Sequence, residues 1–350
     1  MTKPKSDSSF LVIRRDNIGD LVCTTPLLRA LREHFPAARI DALVNSYNRP
    51  VLEGNPDVDH VYHYTKAKHR AAGETVLGVH ARRLALMWQL RRHHYDYVIL
   101  ANGGYLQRPL KLARWVAPRA VIGFVPVGQA APGIDLPVAI DTLQRHEAEN
   151  IFRLLQPLGI SGPVPAMRVV PQPALLAAVR ARLQQLPWGT QAPLRVAVHI
   201  SARKELQRWP ADRFVALMRA LHQRWNCAFL LFWSPGDEHN PHHPGDDRKA
   251  ATIMAGAGDL PVMACPTEQL DELIAGLAAC DAMVCSDGGA MHLGAGLGLP
   301  MVSFFGNSDA WKWHPWGVAH EVLQMDSRKV EDISVAAAEA AFARVMTARS

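Results

Sequence analysis

Short apolar runs alternate along the chain with polar turns and with stretches of helical periodicity. Phe10 to Arg15 (FLVIRR) suits a central parallel strand. A tight turn, Asp16-Asn17-Ile18-Gly19-Asp20, leads into an expected helix from Leu21 to His34. There Leu21, Val22, Leu27, Leu28 and Leu31 share a face, and Pro26 is tolerable only near the helix start. Ile40 to Val44 and Val58 to Tyr64 are the next expected strands, so the opening is β-α-β-α-β and predicts a doubly wound sheet. A helix over 75–94, strands at Tyr97 to Ala101 and Val121 to Val125, a loop over 126–140 and a helix from His146 to Leu158 follow. Gly159 to Pro173 is dense in proline and glycine and is expected to link a first domain, 1–165, to a second, 174–350.

The second half repeats the plan. Expected strands are Arg195 to Ile200, Cys227 to Trp233, Leu260 to Ala264, Ala282 to Cys285 and Met301 to Phe305. Expected helices are Pro173 to Leu186, Ala211 to Trp225, Glu268 to Cys280, a small-residue helix ending near Gly296, and Val330 to Ala348. The last of these could pack back on the first domain.

Composition narrows the class. A chain of 350 residues with 49% hydrophobic residues can fill two cores. No run of about 18 apolar residues predicts a membrane span, and the first ten residues lack the apolar region of a secretory signal. Five cysteines, none in a C-x-x-C pair, are expected to be buried reduced thiols in a cytoplasmic protein, with no zinc site. The net charge of +6 is uneven: residues 1–165 carry 21 Lys/Arg against 14 Asp/Glu, a net of +7, and residues 166–350 carry 17 against 18, a net of −1. A basic first half favours an anionic partner. No groove-reading motif supports nucleic acid as that partner.

Candidate chemistry sits where strands end. In the first half these loops are 16–20, 66–70 and 102–104; in the second they are 201–208, 234–238, 287–292 and 306–309. Asp16 or Asp20 could cap a helix or act as a general base. Lys66, Lys68 and Arg70 are better placed for phosphate than the helix arginines, whose face reads as solvated. Arg208 could pair with two phosphate oxygens, or its loop could be a surface loop held down by Trp209. Asp287-Gly288-Gly289 at a strand-to-helix turn presents unpaired backbone N–H groups to an anion, with Asp287 expected at or near the N-cap. His239, His242 and His243 match no metal-ligand spacing. The G-x-G-x-x-G fingerprint and the P-loop motif are both absent.

Four matches make the chain resemble glycosyltransferase family 9, the ADP-heptose:lipopolysaccharide heptosyltransferases. They are Ile18-Gly19-Asp20 with Thr25-Pro26-Leu27-Leu28; Arg208-Trp209-Pro210 with Phe214; Ser286-Asp287-Gly288-Gly289 with His292; and Phe304-Phe305-Gly306 ahead of the aromatic loop Trp311 to Gly317. The resemblance implies a GT-B fold: two Rossmann-like domains facing across a cleft, acceptor in the first and sugar nucleotide in the second. It implies an inverting, metal-independent transfer of heptose from ADP-heptose, needing no cofactor. Asp20 looks like the catalytic base. Ser201, Arg203, Arg208, Asp287, Gly288, Gly289 and His292 would bind the donor, with Glu238 a looser candidate for its ribose. Asn17, Gly19, Asn102, Lys66, Lys68 and Arg70 would meet an anionic lipopolysaccharide core acceptor, with peripheral contact to the cytoplasmic face of the inner membrane. The chain departs from the family at Arg208, commonly Lys, at Gly288, often Thr or Ser, and in a longer loop before Arg208. Those departures leave another sugar nucleotide, or a non-catalytic binding role, as alternatives.

Overall fold

A computed structural model describes residues 4–64, 76–189, 194–240 and 245–348. The chain divides into two units, Met1–Ala166 and Met167–Ser350. The first unit runs β1 (Ser9–Ile13), α1 (Ile18–Val22), α2 (Thr25–His34), β2 (Arg39–Asn45), β3 (His60–Tyr64), α3 (Val76–Arg92), β4 (Tyr97–Leu100), α4 (Gln107–Val116), β5 (Ala120–Val125), β6 (Leu136–Ala139) and α5 (Glu147–Phe152). Its six strands pair in parallel in the order β3-β2-β1-β4-β5-β6. The central strands are buried along nearly their whole length, which is why FLVI and YVIL carry no polar alternation.

The second unit runs α6 (Pro173–Gln184), β7 (Leu194–His199), α7 (Ala211–Trp225), β8 (Cys227–Trp233), α8 (Asp247–Ala257), β9 (Val262–Pro266), α9 (Leu270–Leu277), β10 (Ala282–Ser286), α10 (Gly289–Gly296), β11 (Met301–Phe305), α11 (Ala310–Trp313), β12 (His320–Gln324) and α12 (Val335–Ala348). Its parallel order is β12-β11-β10-β7-β8-β9, the same winding as the first sheet. Strand order therefore reverses between β1 and β4 in one unit and between β7 and β10 in the other. Ligands of open α/β sheets collect outside the carboxyl ends of such strand pairs.

The structure revises several expectations. Residues 16–20 are not a plain turn, because Ile18 to Asp20 already belong to α1, and the helix expected from Leu21 breaks at Thr24. Pro26 then sits in the first turn of α2, where it lacks only an N–H that would be unpaired anyway. The loop over 126–140 contains the edge strand β6, where Pro137 is tolerated. Strand β12 is half-buried throughout and pairs only with β11. The closing helix α12 begins at Val335 and is buried in the second unit's own core, with Ala338, Ala341 and Phe342 fully covered beside Phe304. Val169 N donates to Gly296 O, so residues after Met167 dock on the second unit rather than forming a free linker. All five cysteines are buried, and burial pushes the Cys227 and Cys265 thiols up to about 12, which leaves little nucleophilic thiolate there.

Candidate functional site

Two consecutive arginines follow the end of β1. Arg14 is 1% exposed. Its Nη2 donates to Asp20 Oδ1 at 2.7 Å and to Glu147 Oε1 at 3.0 Å, and its Nε lies 3.2 Å from Asp16 Oδ2. Its Nη1 donates to the carbonyl of Ala101. Burial opposes this charge, but the three carboxylates outweigh burial and hold the guanidinium above its ordinary value. An arginine buried at a strand end is tolerable only with such compensation.

Asp20 is the third residue of α1. Its Oδ2 accepts from the backbone N and from Nδ2 of Asn17, both at 3.0 Å, and Asn17 closes the reciprocal capping box. The capping role is therefore real. Capping takes two of roughly four lone-pair positions on the carboxylate, and Arg14 takes a third. Asp16 is more open, at 35% side-chain exposure against 15% for Asp20, and Asn102, itself buried, donates to it at 2.8 Å. Asn17, Asp20 and Asn102 thus gather around Arg14, while Gly19 is buried inside α1. Lys66, Lys68 and Arg70 lie outside the described residues. Arg14 and Glu147 escaped the sequence reading. The cue was an arginine in an otherwise apolar strand, which must find carboxylates somewhere.

In the second unit, β10 ends at Ser286 and Gly288 is the N-cap of α10, so Asp287 lies next to the cap. Gly288 is exposed, and a Cβ built on it would meet nothing within 4 Å, so the helix start is open to an anion. Asp287 does not occupy that opening. Its backbone N donates to Phe304 O, and its Oδ2 accepts from Gln207 Nε2 at 2.8 Å and from the Ser308 hydroxyl. Gln324 Nε2 donates to the carbonyls of Gly306 and Ser308, both at 2.8 Å, and steadies that loop. Gly306 is required there, because a Cβ would lie 2.5 Å from Leu206 O. His292 is buried on the second turn of α10, 6.0 Å edge-on from the Trp313 ring.

The loop after β7 converges on the same strand ends. Trp209 is buried against Phe214 and Phe304 and donates to Ile333 O at 2.9 Å, so it does pin the loop. Arg208 beside it spends only Nε, on Ala202 O, and meets no carboxylate among the described residues. Its terminal nitrogens keep the fork suited to two phosphate oxygens. Ser201 Oγ accepts from Ser234 N and retains its proton for donation. Lys249, absent from the sequence reading, donates to Ile200 O at 3.0 Å over the Phe214 ring. Burial, with help from Arg208, pushes its ammonium down to about 8. Burial and Lys249 in turn push His199 down to about 4, so that imidazole is neutral at pH 7. Arg203 is exposed, and Glu238 pairs with Arg248 at 2.8 Å. The histidines at 242 and 243 lie outside the described residues, and His239 pairs with Asp237.

Comparison with known proteins bears on the family and the fold. The family model for glycosyltransferase family 9 (heptosyltransferase) matches residues 83–339. Lipopolysaccharide heptosyltransferase 3 of Escherichia coli is 24% identical over 303 residues, covering 85% of this chain and 83% of that protein. Lipopolysaccharide heptosyltransferase 2 of Escherichia coli K12 is 25% identical over 308 residues, with 85% and 83% covered. Among solved structures, a glycosyl transferase family 9 protein from Veillonella parvula superimposes with a TM-score of 0.79 at 18% identity, covering 99% of both chains. The E. coli heptosyltransferase WaaC with ADP gives 0.75 at 19% identity, covering 96% of this chain and 99% of that one. These structural likenesses establish the GT-B fold, with its two Rossmann-like units.

Proposed function

The chain belongs to glycosyltransferase family 9, a family of heptosyltransferase-like glycosyltransferases, and from that premise we propose an inverting, metal-independent transfer of heptose from ADP-heptose to an anionic lipopolysaccharide core acceptor. Asp20 takes the proton from an acceptor hydroxyl as that oxygen attacks the anomeric carbon. The bond from that carbon to the diphosphate oxygen breaks, and ADP leaves with the electron pair. Arg14 fixes one Asp20 oxygen and Asn17 the other, so the carboxylate is presented in one orientation without reorganisation.

The observation that carries the donor half is the open approach to Gly288 at the start of α10. Backbone N–H groups there, the fork of Arg208 and the Ser201 hydroxyl supply the stabilisation of leaving-group charge that a metal would otherwise give. Asp287, tethered by Gln207 and Ser308, is turned to the sugar hydroxyls; His292 lines the helix behind the phosphates, and Arg203 and Glu238 serve the outer part of the nucleotide. We place the enzyme on the cytoplasmic face of the inner membrane, in peripheral contact; among the described residues no helix is long and apolar enough to cross a bilayer.

A thermal-shift screen of ADP, UDP, GDP and dTDP, with and without EDTA, tests the donor. ADP should stabilise most and EDTA should change nothing. A clear preference for UDP would move the donor assignment, and loss of stabilisation in EDTA would end the metal-free reading.

A further inference from the structure

Glu147 is a buried carboxylate beyond what its helix or its arginine requires. It is the first residue of α5, whose start is capped without it. His146 Nδ1 accepts from Ala148 N at 3.1 Å, and Glu149 Oε2 accepts from His146 N at 3.0 Å. Arg14 carries one charge and already meets Asp20 Oδ1 at 2.7 Å, with Asp16 Oδ2 at 3.2 Å from its Nε. Taking a further carboxylate out of water is costly, and an uncharged side chain would fill the same place at less cost.

Its position gives the extra charge a consequence. Glu147 Oε1 accepts from Arg14 Nη2 at 3.0 Å, and that same nitrogen donates to Asp20 Oδ1. The Glu147 and Asp20 side chains are 3% and 15% exposed, so little water screens one from the other. Two carboxylates on one nitrogen repel, and a like charge disfavours the ionised form of its neighbour. An arginine paired with Asp20 alone would do the opposite: it would stabilise the carboxylate and make it a poorer proton acceptor. Charged groups on the adjoining elements are engaged elsewhere. Arg145 and Arg153, on either side of α5, pair with Asp141. On α2, Arg29 pairs with Glu33 and Arg32 with Asp59, and His34 meets the Ala30 carbonyl. On the turn Ser46–Val51 beside α1, Arg49 pairs with Glu53.

We propose that Glu147 is a positioning residue for the transfer: by holding part of Arg14 it keeps that arginine from neutralising Asp20, and so preserves the capacity of Asp20 to take a proton. The inference rests on Asp20 as the base and deepens that reading. Arg14 orients Asp20, and Glu147 sets how strongly it does so. No bond is made or broken at Glu147.

Glu147→Gln tests it, because the amide keeps an oxygen that can accept from Arg14 and removes only the charge. In the full chain, with ADP-heptose and a core acceptor, the acid limb of the kcat profile should move to lower pH by about one unit, the scale on which one neighbouring charge acts. On the plateau above that limb kcat should fall about threefold, as a weaker base requires, with KM for both substrates unchanged. Asp16→Asn should move the limb the same way by a smaller step, because Asp16 meets Nε and is more exposed. NMR of the full chain, with aspartate labelled with 13C at its side-chain carboxyl, should show the same displacement without substrate; the Asp20 signal is identified by its loss in Asp20→Asn. A fall in stability, or in kcat at every pH, with the acid limb and the Asp20 titration in place would reduce Glu147 to a structural role and overturn the proposal. Displacement to higher pH would overturn it too. Should Glu147→Gln fail to fold, Asp16→Asn decides, and no displacement there overturns the proposal. If the NMR displacement appears but Asp20→Asn transfers at the unmodified rate with its acid limb intact, the sharing of Arg14 stands and the base reading fails. If Asp20→Asn loses both rate and limb while Glu147→Gln displaces nothing, the base stands and the role of Glu147 falls.

Discussion

The two units wind their sheets identically, yet their switch points carry opposite charge logic. At the end of β1 one buried arginine is shared by Asp16, Asp20 and Glu147, so the cluster carries more negative than positive charge and is internally hydrogen-bonded. At the ends of β7 and β10 Arg208 meets only a carbonyl, Lys249 is held below its ordinary value, and the start of α10 is open. One arginine is structural, its terminal nitrogens held by two carboxylates and a carbonyl. The other keeps its capacity for a ligand. The topology places both clusters; we propose that the residue types at the strand ends make the first the proton acceptor and the second the anion site.

That contrast can be broken by exchanging stability for binding as the readout. Arg14→Met should cost about 3–5 kcal/mol of stability by chemical denaturation, because three carboxylates lose their shared cation. A loss below about 1 kcal/mol would show that the cluster does not need Arg14. Arg208→Met should leave stability nearly unchanged but weaken ADP binding by about 30-fold or more in calorimetry, the effect of losing a charge-assisted fork. If Arg208→Met instead unfolds the protein while affinity survives, the two arginines have been assigned the wrong way round.

Smaller effects sharpen the same comparison. Lys249 ionises at about 8 in the fold against an ordinary 10.5, so it is charged below pH 8 and progressively neutral above it. Its attraction for a diphosphate is present at pH 7 and lost as the pH rises through about 8 to 9, and ADP affinity should fall about threefold across that window. Lys249→Met should flatten this decline. An unchanged pH profile in the variant would remove Lys249 from the anion site.

Much of this was legible in the sequence because parallel central strands are continuous apolar runs and their ends are marked by abrupt polar turns. The strand–turn–helix at Ala282 to Gly296 is such a case. Edge strands were not legible. Leu136–Ala139 contains a proline in a proline- and glycine-rich stretch, and His320–Gln324 has no buried residue to create a pattern. Helices α4 and α8 lack a capping side chain at their starts, and α8 is rich in small residues, so neither announced itself. In the site, Asp20 and Asp287 were visible as polar residues at strand ends. Their partners were not: Glu147 is 133 residues from Arg14, and Gln207 is 80 from Asp287. Such pairings are tertiary facts, and only the oddity of an arginine inside FLVIRR hinted at one.

The proton-accepting role of the first cluster is the claim on which the rest depends, and Asp20→Asn tests it most directly. The amide keeps the shape of the side chain and loses most of its basicity. With ADP-heptose and a core acceptor, single-turnover transfer should slow by about 10²–10⁴-fold while ADP binding changes little, and Asp16→Asn should slow it far less. Transfer by Asp20→Asn at the unmodified rate, or a collapse confined to Asp16→Asn, would contradict the account.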